Sequence, residues 1–143
     1  MVEVDLAGRD IVDPRVLTAM GLVPRHLFVD DTRVWQAYED RALPIGRGQT
    51  ISQPYIVAFT AQALSVAQGD RVLEVGTGSG YAAAVLAEMG AAVVTVERDP
   101  DLASKARSRL DALGYGQVEV VHGDGSMGRL DCAPFDAITV AAA

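Results

Sequence analysis

The side chains best suited to chemistry follow a short apolar run near the middle of the chain. Residues 72–75 are followed directly by glycines that alternate with hydroxyl side chains, and an alanine-rich stretch comes next. Glycine lets the backbone turn tightly and lets a ligand approach it, while the start of a helix offers free N–H groups and a partial positive charge. The pattern therefore indicates a cofactor-binding turn, formed by Gly76, Thr77, Gly78, Ser79 and Gly80.

Two acidic residues lie where a nucleotide-like cofactor would need them. Glu97 follows Gly76 by 21 residues, at the end of the next apolar run, and an acid there can accept hydrogen bonds from both ribose hydroxyls. The spacing of residues 78–83 also fits a dinucleotide fingerprint, so these features leave both a nicotinamide dinucleotide and S-adenosylmethionine (SAM) open. Glu74 favours SAM, because its carboxylate could meet the ammonium group of the methionine moiety.

A third acid follows the next apolar run, in the sequence Gly123-Asp124-Gly125. An aspartate at the carboxyl end of a strand lies where open α/β sheets bind ligands, and it could accept a hydrogen bond from an adenine amino group. The alternative is a turn residue that caps its own backbone, which is the better interpretation of an isolated Gly-Asp-Gly.

The elements that position these residues alternate between strand and helix from residue 71 onward. Helices are predicted over 81–89 and from the Asp99-Pro100 cap to Gly114, and strands over 72–75, 91–96, 118–121 and 137–143. This rhythm requires right-handed crossovers and a parallel sheet, with strand order 3-2-1-4. The prediction is a doubly wound α/β unit over residues 71–143.

Residues 1–70 are predicted to form a helical cap and a loop that pack on this unit within one domain. A helix should begin at Asp13-Pro14 and end at Gly21, and another should cover residues 54–67. Between them, residues 43–52 form a glycine-punctuated loop. Ser52 precedes Pro54 by two residues, so it is predicted to cap the second helix, at a place that binds anions.

Composition excludes several classes of function. Twelve basic against nineteen acidic residues give a net charge of −7, which disfavours nucleic acid as a partner because phosphate neutralisation supplies most of that affinity. The single cysteine, Cys132, excludes an internal disulfide and a multi-cysteine zinc site, and no metal is expected. No apolar run is long enough to span a membrane, and no secretory leader is evident, so the prediction is a soluble, cytoplasmic protein.

The stretch from Ala42 to Tyr55 resembles the substrate loop of protein-L-isoaspartate O-methyltransferases. Matching segments occur in the same order over nearly the whole chain, at residues 23–29, 72–81, 96–98, 123–125 and 133–138. The resemblance implies a Rossmann-like fold, SAM as the cofactor, and methyl transfer to the α-carboxylate of L-isoaspartyl residues in damaged proteins or peptides.

The resemblance also assigns roles to individual residues. It makes Ser52 the active-site residue with Thr50 in support, and it gives Gln49 and Ile51 a part in substrate binding. The α-carboxylate is already ionised near neutral pH, so these hydroxyls would position it without a general base. Arg25 and His26 are candidates for fixing the cap over the site or for a purely structural role. The implied cofactor-binding residues are Glu74, Gly76, Thr77, Gly78, Ser79, Gly80, Glu97, Arg98, Gly123, Asp124 and Gly125.

The sequence departs from the family pattern at its end. Members of the family continue beyond the position of Ala143 with a helix and further strands, so a fragment or truncated homologue is expected. Its exposed fourth strand could pair with a second copy.

One alternative is a related carboxylate methyltransferase that modifies an aspartate of a biosynthetic peptide. Another is a non-catalytic homologue that binds a partner through that strand. A nucleobase amino-methyltransferase and a nicotinamide oxidoreductase fit less well, because the first needs a different motif after residue 139 and the second leaves residues 46–55 unexplained.

Overall fold

A computed structural model describes residues 1–141 and places a parallel sheet behind an N-terminal helical region. The predicted fourth strand also included Ala142 and Ala143, which lie outside the described residues. The α-helices are α1 (Pro14–Leu22), α2 (Pro54–Leu64), α3 (Tyr81–Glu88) and α4 (Pro100–Ala112). The strands are β1 (Leu43–Gly46), β2 (Gln49–Ile51), β3 (Arg71–Val75), β4 (Ala92–Glu97), β5 (Glu119–His122) and β6 (Ala137–Val140).

The four strands of the main sheet are parallel and follow the order β5-β4-β3-β6. This confirms the predicted order and the α/β class. The register pairs Val75 with both Val96 and Val140, and it pairs Glu97 with His122. The carboxyl ends of all four strands therefore meet at one edge, where sheets of this kind bind ligands.

The ends of α1 and α2 differ most from the prediction. α1 continues through Gly21 because the Val23 amide still donates to the Ala19 carbonyl, 3.0 Å away. α2 stops at Leu64, three residues early, because Ser65 takes a left-handed conformation (φ 50°) that ends the helix. The predicted cap at Asp99 is confirmed, since its Oδ1 accepts from the amides of Asp101 and Leu102 at 2.9 and 3.0 Å.

The segment 43–52, predicted as a loop, forms an antiparallel hairpin of β1 and β2. Gly46, Arg47 and Gly48 all have positive φ angles, and this lets the chain reverse tightly enough for the two strands to pair. The tip is tied to the start of α4, because Arg47 Nε lies 2.9 Å from Asp99 Oδ2 and Arg47 Nη2 lies 3.1 Å from Asp101 Oδ2. The hairpin is thereby held beside the carboxyl edge of the sheet.

The main hydrophobic core joins the N-terminal region to the sheet. Phe28 packs edge-on against Tyr81 with ring centroids 5.4 Å apart, and buried side chains of all four helices belong to the same cluster. A smaller cluster contains Leu73, Val94 and Val96.

On β6, Ile138 and Val140 are 59% and 64% exposed. Along residues 1–141, none of the helices combines the length and apolar character needed to cross a membrane.

Candidate active site

A cavity of about 380 Å³ opens at the carboxyl edge of the sheet, between the glycine turn and the hairpin. Its volume lies within the range of small-molecule sites, roughly 300–1,000 Å³. The predicted site residues that line it are Gln49, Thr50, Ile51, Ser52, Glu74, Gly76, Thr77, Gly78, Ser79, Glu97, Arg98, Asp124 and Gly125. The structure thus brings together residues from four separate segments of the chain.

The glycine turn forms the floor of this cavity. The Gly76 amide donates to the Val96 carbonyl at 2.8 Å, and the Gly80 amide donates to the Thr77 carbonyl at 2.9 Å. Gly76, Gly78 and Gly80 have φ angles of 101°, 54° and 89°, values that side chains rarely adopt. The tight turn thus places the backbone of Gly76 and Gly78 along the cavity, just before the start of α3.

Two of the predicted glycines do not line the cavity. A Cβ on Gly80 would lie 3.2 Å from Leu110 Cδ1, so this glycine permits close packing of α3 against α4. Gly123 donates its amide to the Glu97 carbonyl at 2.9 Å, which ties the end of β5 to β4. Both residues hold neighbouring elements together next to the cavity without lining it.

Glu97 connects the glycine turn to the start of α4. Its Oε2 accepts from the Gly78 amide at 2.9 Å, and its Oε1 accepts from the Asp99 amide at 3.0 Å. Each carboxylate oxygen can accept more than one hydrogen bond. The side chain therefore fixes the turn and keeps acceptor capacity towards the cavity.

Glu74 is a buried acid with one oxygen unpartnered. It is 1% exposed, and its Oε1 accepts from the Thr95 hydroxyl at 3.2 Å, which in turn lies 2.7 Å from the Thr77 hydroxyl. Within the described residues Oε2 has no hydrogen-bond partner. Burial raises the pKa of Glu74 to about 8, and the charge of Glu97 adds to this rise. Because a buried acceptor without a donor is costly, Glu74 is suited to a cationic group that enters the cavity.

Asp124 caps its own turn and also lines the cavity. Its Oδ1 accepts from the Ser126 amide at 2.9 Å, and this backbone hydrogen bond lowers the pKa of Asp124. Gly125 must be glycine, because a Cβ there would come within 2.5 Å of Val75 Cγ1. The close approach brings the turn after β5 against the end of β3. Arg98 completes this side of the cavity.

The predicted helix cap at Ser52 is wrong, because another residue occupies the start of α2. Gln53 occupies the N-cap position of α2, but its side chain makes no capping hydrogen bond. Asp40, far along the chain, accepts from the Tyr55 amide at 3.0 Å and from Gln53 Nε2 at 2.8 Å. With the helix start satisfied by Asp40, the Ser52 hydroxyl is not used in capping and is available to the cavity that it lines.

Several lining residues were missed by the sequence reasoning: Val57, Val75, Tyr81, Ala82, Val96, Ser126, Val140 and Ala141. Tyr81 follows the last glycine of the turn directly, and Val140 ends β6 at the same edge as Val75. Because both residues adjoin elements that the sequence predicts, their positions could have indicated that they line the cavity. Val57 carries no such signal, because only the placement of α2 brings it to the cavity.

Comparison with known proteins places this site in a family. The family model described as protein-L-isoaspartate(D-aspartate) O-methyltransferase matches residues 1–143. The chain belongs to the protein-L-isoaspartate O-methyltransferase family. It is 57% identical over 143 residues to the protein-L-isoaspartate O-methyltransferase of Methanoculleus marisnigri. It is also 56% identical over 142 residues to protein-L-isoaspartate O-methyltransferase 2 of Pelobacter propionicus.

These curated family members are longer than the chain. The matches cover 100% and 99% of this chain, but only 65% and 63% of the two relatives. The chain thus spans slightly less than two thirds of their length.

Solved structures of family members share the fold. One protein-L-isoaspartate O-methyltransferase superposes with a TM-score of 0.84 at 32% identity, over 90% of this chain and 43% of the other. A putative member from Plasmodium falciparum, solved in complex with S-adenosyl-L-homocysteine, gives a TM-score of 0.76 at 26% identity, over 97% of this chain and 70% of the other. The α/β fold with a parallel sheet is therefore that of the SAM-dependent methyltransferases in this family.

Proposed function

We propose that this chain binds SAM in the cavity and serves methyl transfer to the α-carboxylate of L-isoaspartyl residues in damaged proteins or peptides. The observation that carries the proposal is the pairing of two walls around one cavity. On one wall, the buried Glu74 carboxylate has an unpartnered oxygen, and on the other, the hydroxyl-bearing strand β2 leads to Ser52. A carboxylate on one wall suits a cationic cofactor. Neutral hydroxyl donors on the other wall suit the anionic carboxylate that would receive the methyl group.

The cavity walls offer SAM partners for three of its polar groups. Glu74 would accept from the ammonium group, Glu97 from the ribose hydroxyls, and Asp124 from the adenine amino group. The backbone of Gly76 and Gly78 lets the ligand lie close to the turn. When bound, SAM supplies an electrophilic methyl group on a positively charged sulfur.

The chain's own residues would act on the acceptor by positioning it. An α-carboxylate has a pKa of about 3.5, so it is ionised near neutral pH and no side chain has to remove a proton. Ser52 and Thr50 can donate hydroxyl hydrogen bonds that orient one carboxylate oxygen. Neither hydroxyl has to form a covalent bond.

Two further predictions belong to this proposal. One is a cytoplasmic location, where protein repair would take place. The other is pairing of two copies through β6, supported by the exposed Ile138 and Val140 at the edge of the described sheet. Sedimentation at rising concentration would test the pairing, since a concentration-independent monomer contradicts it.

The proposal is tested by transfer of labelled methyl groups from SAM to two peptides that differ only in one isoaspartyl or aspartyl linkage. The expected result is base-labile methyl ester on the isoaspartyl peptide alone. Preferred methylation of the aspartyl peptide would support a carboxylate methyltransferase of the biosynthetic kind. SAM binding without transfer to either peptide would support the non-catalytic alternative and contradict the proposed activity.

A further inference from the structure

Arg25 is a fully buried cation beside the acceptor side of the cavity. Its side chain is 0% exposed, and it has no ion-pair partner among residues 1–141. Nε donates to the Ala37 carbonyl at 2.7 Å, and Nη2 donates to the Ser52 carbonyl at 2.8 Å. The guanidinium lies over the Tyr81 ring, 4.8 Å from its centroid.

This arrangement is poorly explained by core packing alone. A buried charge without an ion-pair partner is costly, and an apolar side chain of similar length would fill the same space at a smaller desolvation cost. What the guanidinium does is join three separate segments at once. They are the chain around Ala37, the Ser52 segment, and the first turn of α3, where Tyr81 lines the cavity.

A second contact holds the same segment from its other side. Asp40 accepts from Gln53 Nε2 at 2.8 Å and from the Tyr55 amide at 3.0 Å. The carbonyl of Ser52 is thus held by Arg25, while the following residues are held by Asp40. The backbone is fixed on both sides of Ser52, whose hydroxyl is left available to the cavity.

We propose that Arg25 is a positioning residue, which sets the backbone at Ser52 and thereby the direction of its hydroxyl towards the acceptor carboxylate. The inference rests on the proposed function for its kinetic consequence. Lysine cannot replace arginine here, because one ammonium group lacks the planar fork that reaches two carbonyls and stacks on an aromatic ring. A displacement of about 1 Å at a reacting group lowers turnover by as much as roughly 100-fold.

The test compares Arg25→Lys with the matched variant Arg15→Lys in the 143-residue chain. Arg15 also donates to a backbone carbonyl, that of Val66, at 2.6 Å, but it lies away from the cavity. Hydrogen exchange of amides 49–53, SAM affinity, kcat and KM are measured for both. Arg25→Lys is expected to lose protection at 49–53 and to lower kcat roughly 10- to 100-fold, with unchanged SAM affinity. Arg15→Lys should match the parent chain in all four.

The outcomes separate this inference from the proposed function. If Arg25→Lys keeps full protection at 49–53, or loses SAM affinity and thermal stability in proportion to kcat, the positioning role is overturned. If the parent chain methylates neither peptide, the proposed activity fails, while exchange at 49–53 still decides whether Arg25 fixes the segment. Should Arg25→Lys not fold, Arg25→Gln places no charge in the core and is measured instead. Failure of both variants to fold would mean that Arg25 is needed for the fold itself, and this would overturn the inference.

Discussion

The two walls of the cavity are built in different ways. The cofactor wall consists of the glycine turn, Glu74 and Glu97, whose contacts join the ends of neighbouring parallel strands. The acceptor wall is the hairpin of β1 and β2, which is held by side chains from distant parts of the chain, Arg25, Asp40 and Asp99. The first wall follows from a local motif, whereas the second depends on the tertiary fold. Substitutions in the cofactor wall should therefore change SAM affinity, whereas substitutions in the acceptor wall should change turnover.

The largest separable effect is expected on the acceptor wall, for Ser52→Ala. Removing one hydroxyl donor from the site should lower kcat by roughly 100-fold, as loss of a single positioned donor does in other active sites. SAM affinity should stay unchanged, because Ser52 is not among the partners proposed for SAM. Steady-state kinetics with an isoaspartyl peptide provide the measurement, and Ser65→Ala, outside the cavity, is the control. An unchanged kcat would remove Ser52 from the proposed role.

On the cofactor wall, Glu74 should make stability depend on pH. Its pKa rises from an ordinary value of 4.5 to about 8 because it is buried. The folded chain then binds the proton more tightly than the unfolded chain, so stability falls as pH rises from about 4.5 towards 8, with a slope of up to ~1.4 kcal/mol per pH unit. Glu74→Gln should remove this slope and be the more stable form at pH 8. Urea unfolding of both forms across this range would show it, and parallel curves would contradict the assignment.

A smaller effect is expected for Asp40→Ala, which removes the acceptor for the start of α2. Loss of a helix cap lowers the free energy of unfolding by about 1 kcal/mol. Asp31→Ala, an aspartate elsewhere in the N-terminal region, serves as the control in the same denaturant titration. If Asp40→Ala is as stable as the control, the hydrogen bond from the Tyr55 amide to Asp40 does not stabilise the start of α2. The proposal that Asp40 replaces Ser52 as the helix cap would then fail.

The smallest effect is expected at the hairpin tip, for Arg47→Asn. Asparagine tolerates the left-handed backbone of this position, so the substitution removes mainly the ion pairs to Asp99 and Asp101. Exposed pairs of this kind contribute little, and turnover at low ionic strength should fall by roughly two- to fivefold. At about 1 M salt, where screening acts over about 3 Å, the two forms should converge. A difference that persists in high salt would point to a contact other than charge.

The sequence predicted the cofactor wall more completely than the acceptor wall, and the reason is physical. The strand order and the glycine turn follow from periodicity and spacing within about thirty residues, a range over which βαβ units are recognisable. The sequence predicts a loop at 43–52, where the structure has a hairpin, because the two strands are short and lack clear alternation. The sequence likewise predicts a helix cap at Ser52, because nothing local reveals that Asp40, elsewhere in the fold, accepts from the first turn of α2.

Buried polar groups were the other feature that the sequence left undetermined. The unpartnered oxygen of Glu74 and the complete burial of Arg25 arise from tertiary packing, and a single sequence does not show which acid or base becomes enclosed. Gly125 is similar, since only the approach of Val75 explains why a side chain cannot be accommodated there. The motif located these residues, but their energetic roles required the fold.

The most direct test of the account is calorimetric titration of SAM into the parent chain, Glu74→Gln and Ser52→Ala at pH 7. Glu74→Gln should weaken binding by roughly 10- to 100-fold. Glu74 would release its proton when the ammonium group enters beside it, and it would then make a charge-assisted hydrogen bond that glutamine cannot make. Ser52→Ala should bind SAM as the parent chain does. Equal weakening by both variants, or unchanged binding by Glu74→Gln, would contradict the division of the cavity into a cofactor wall and an acceptor wall.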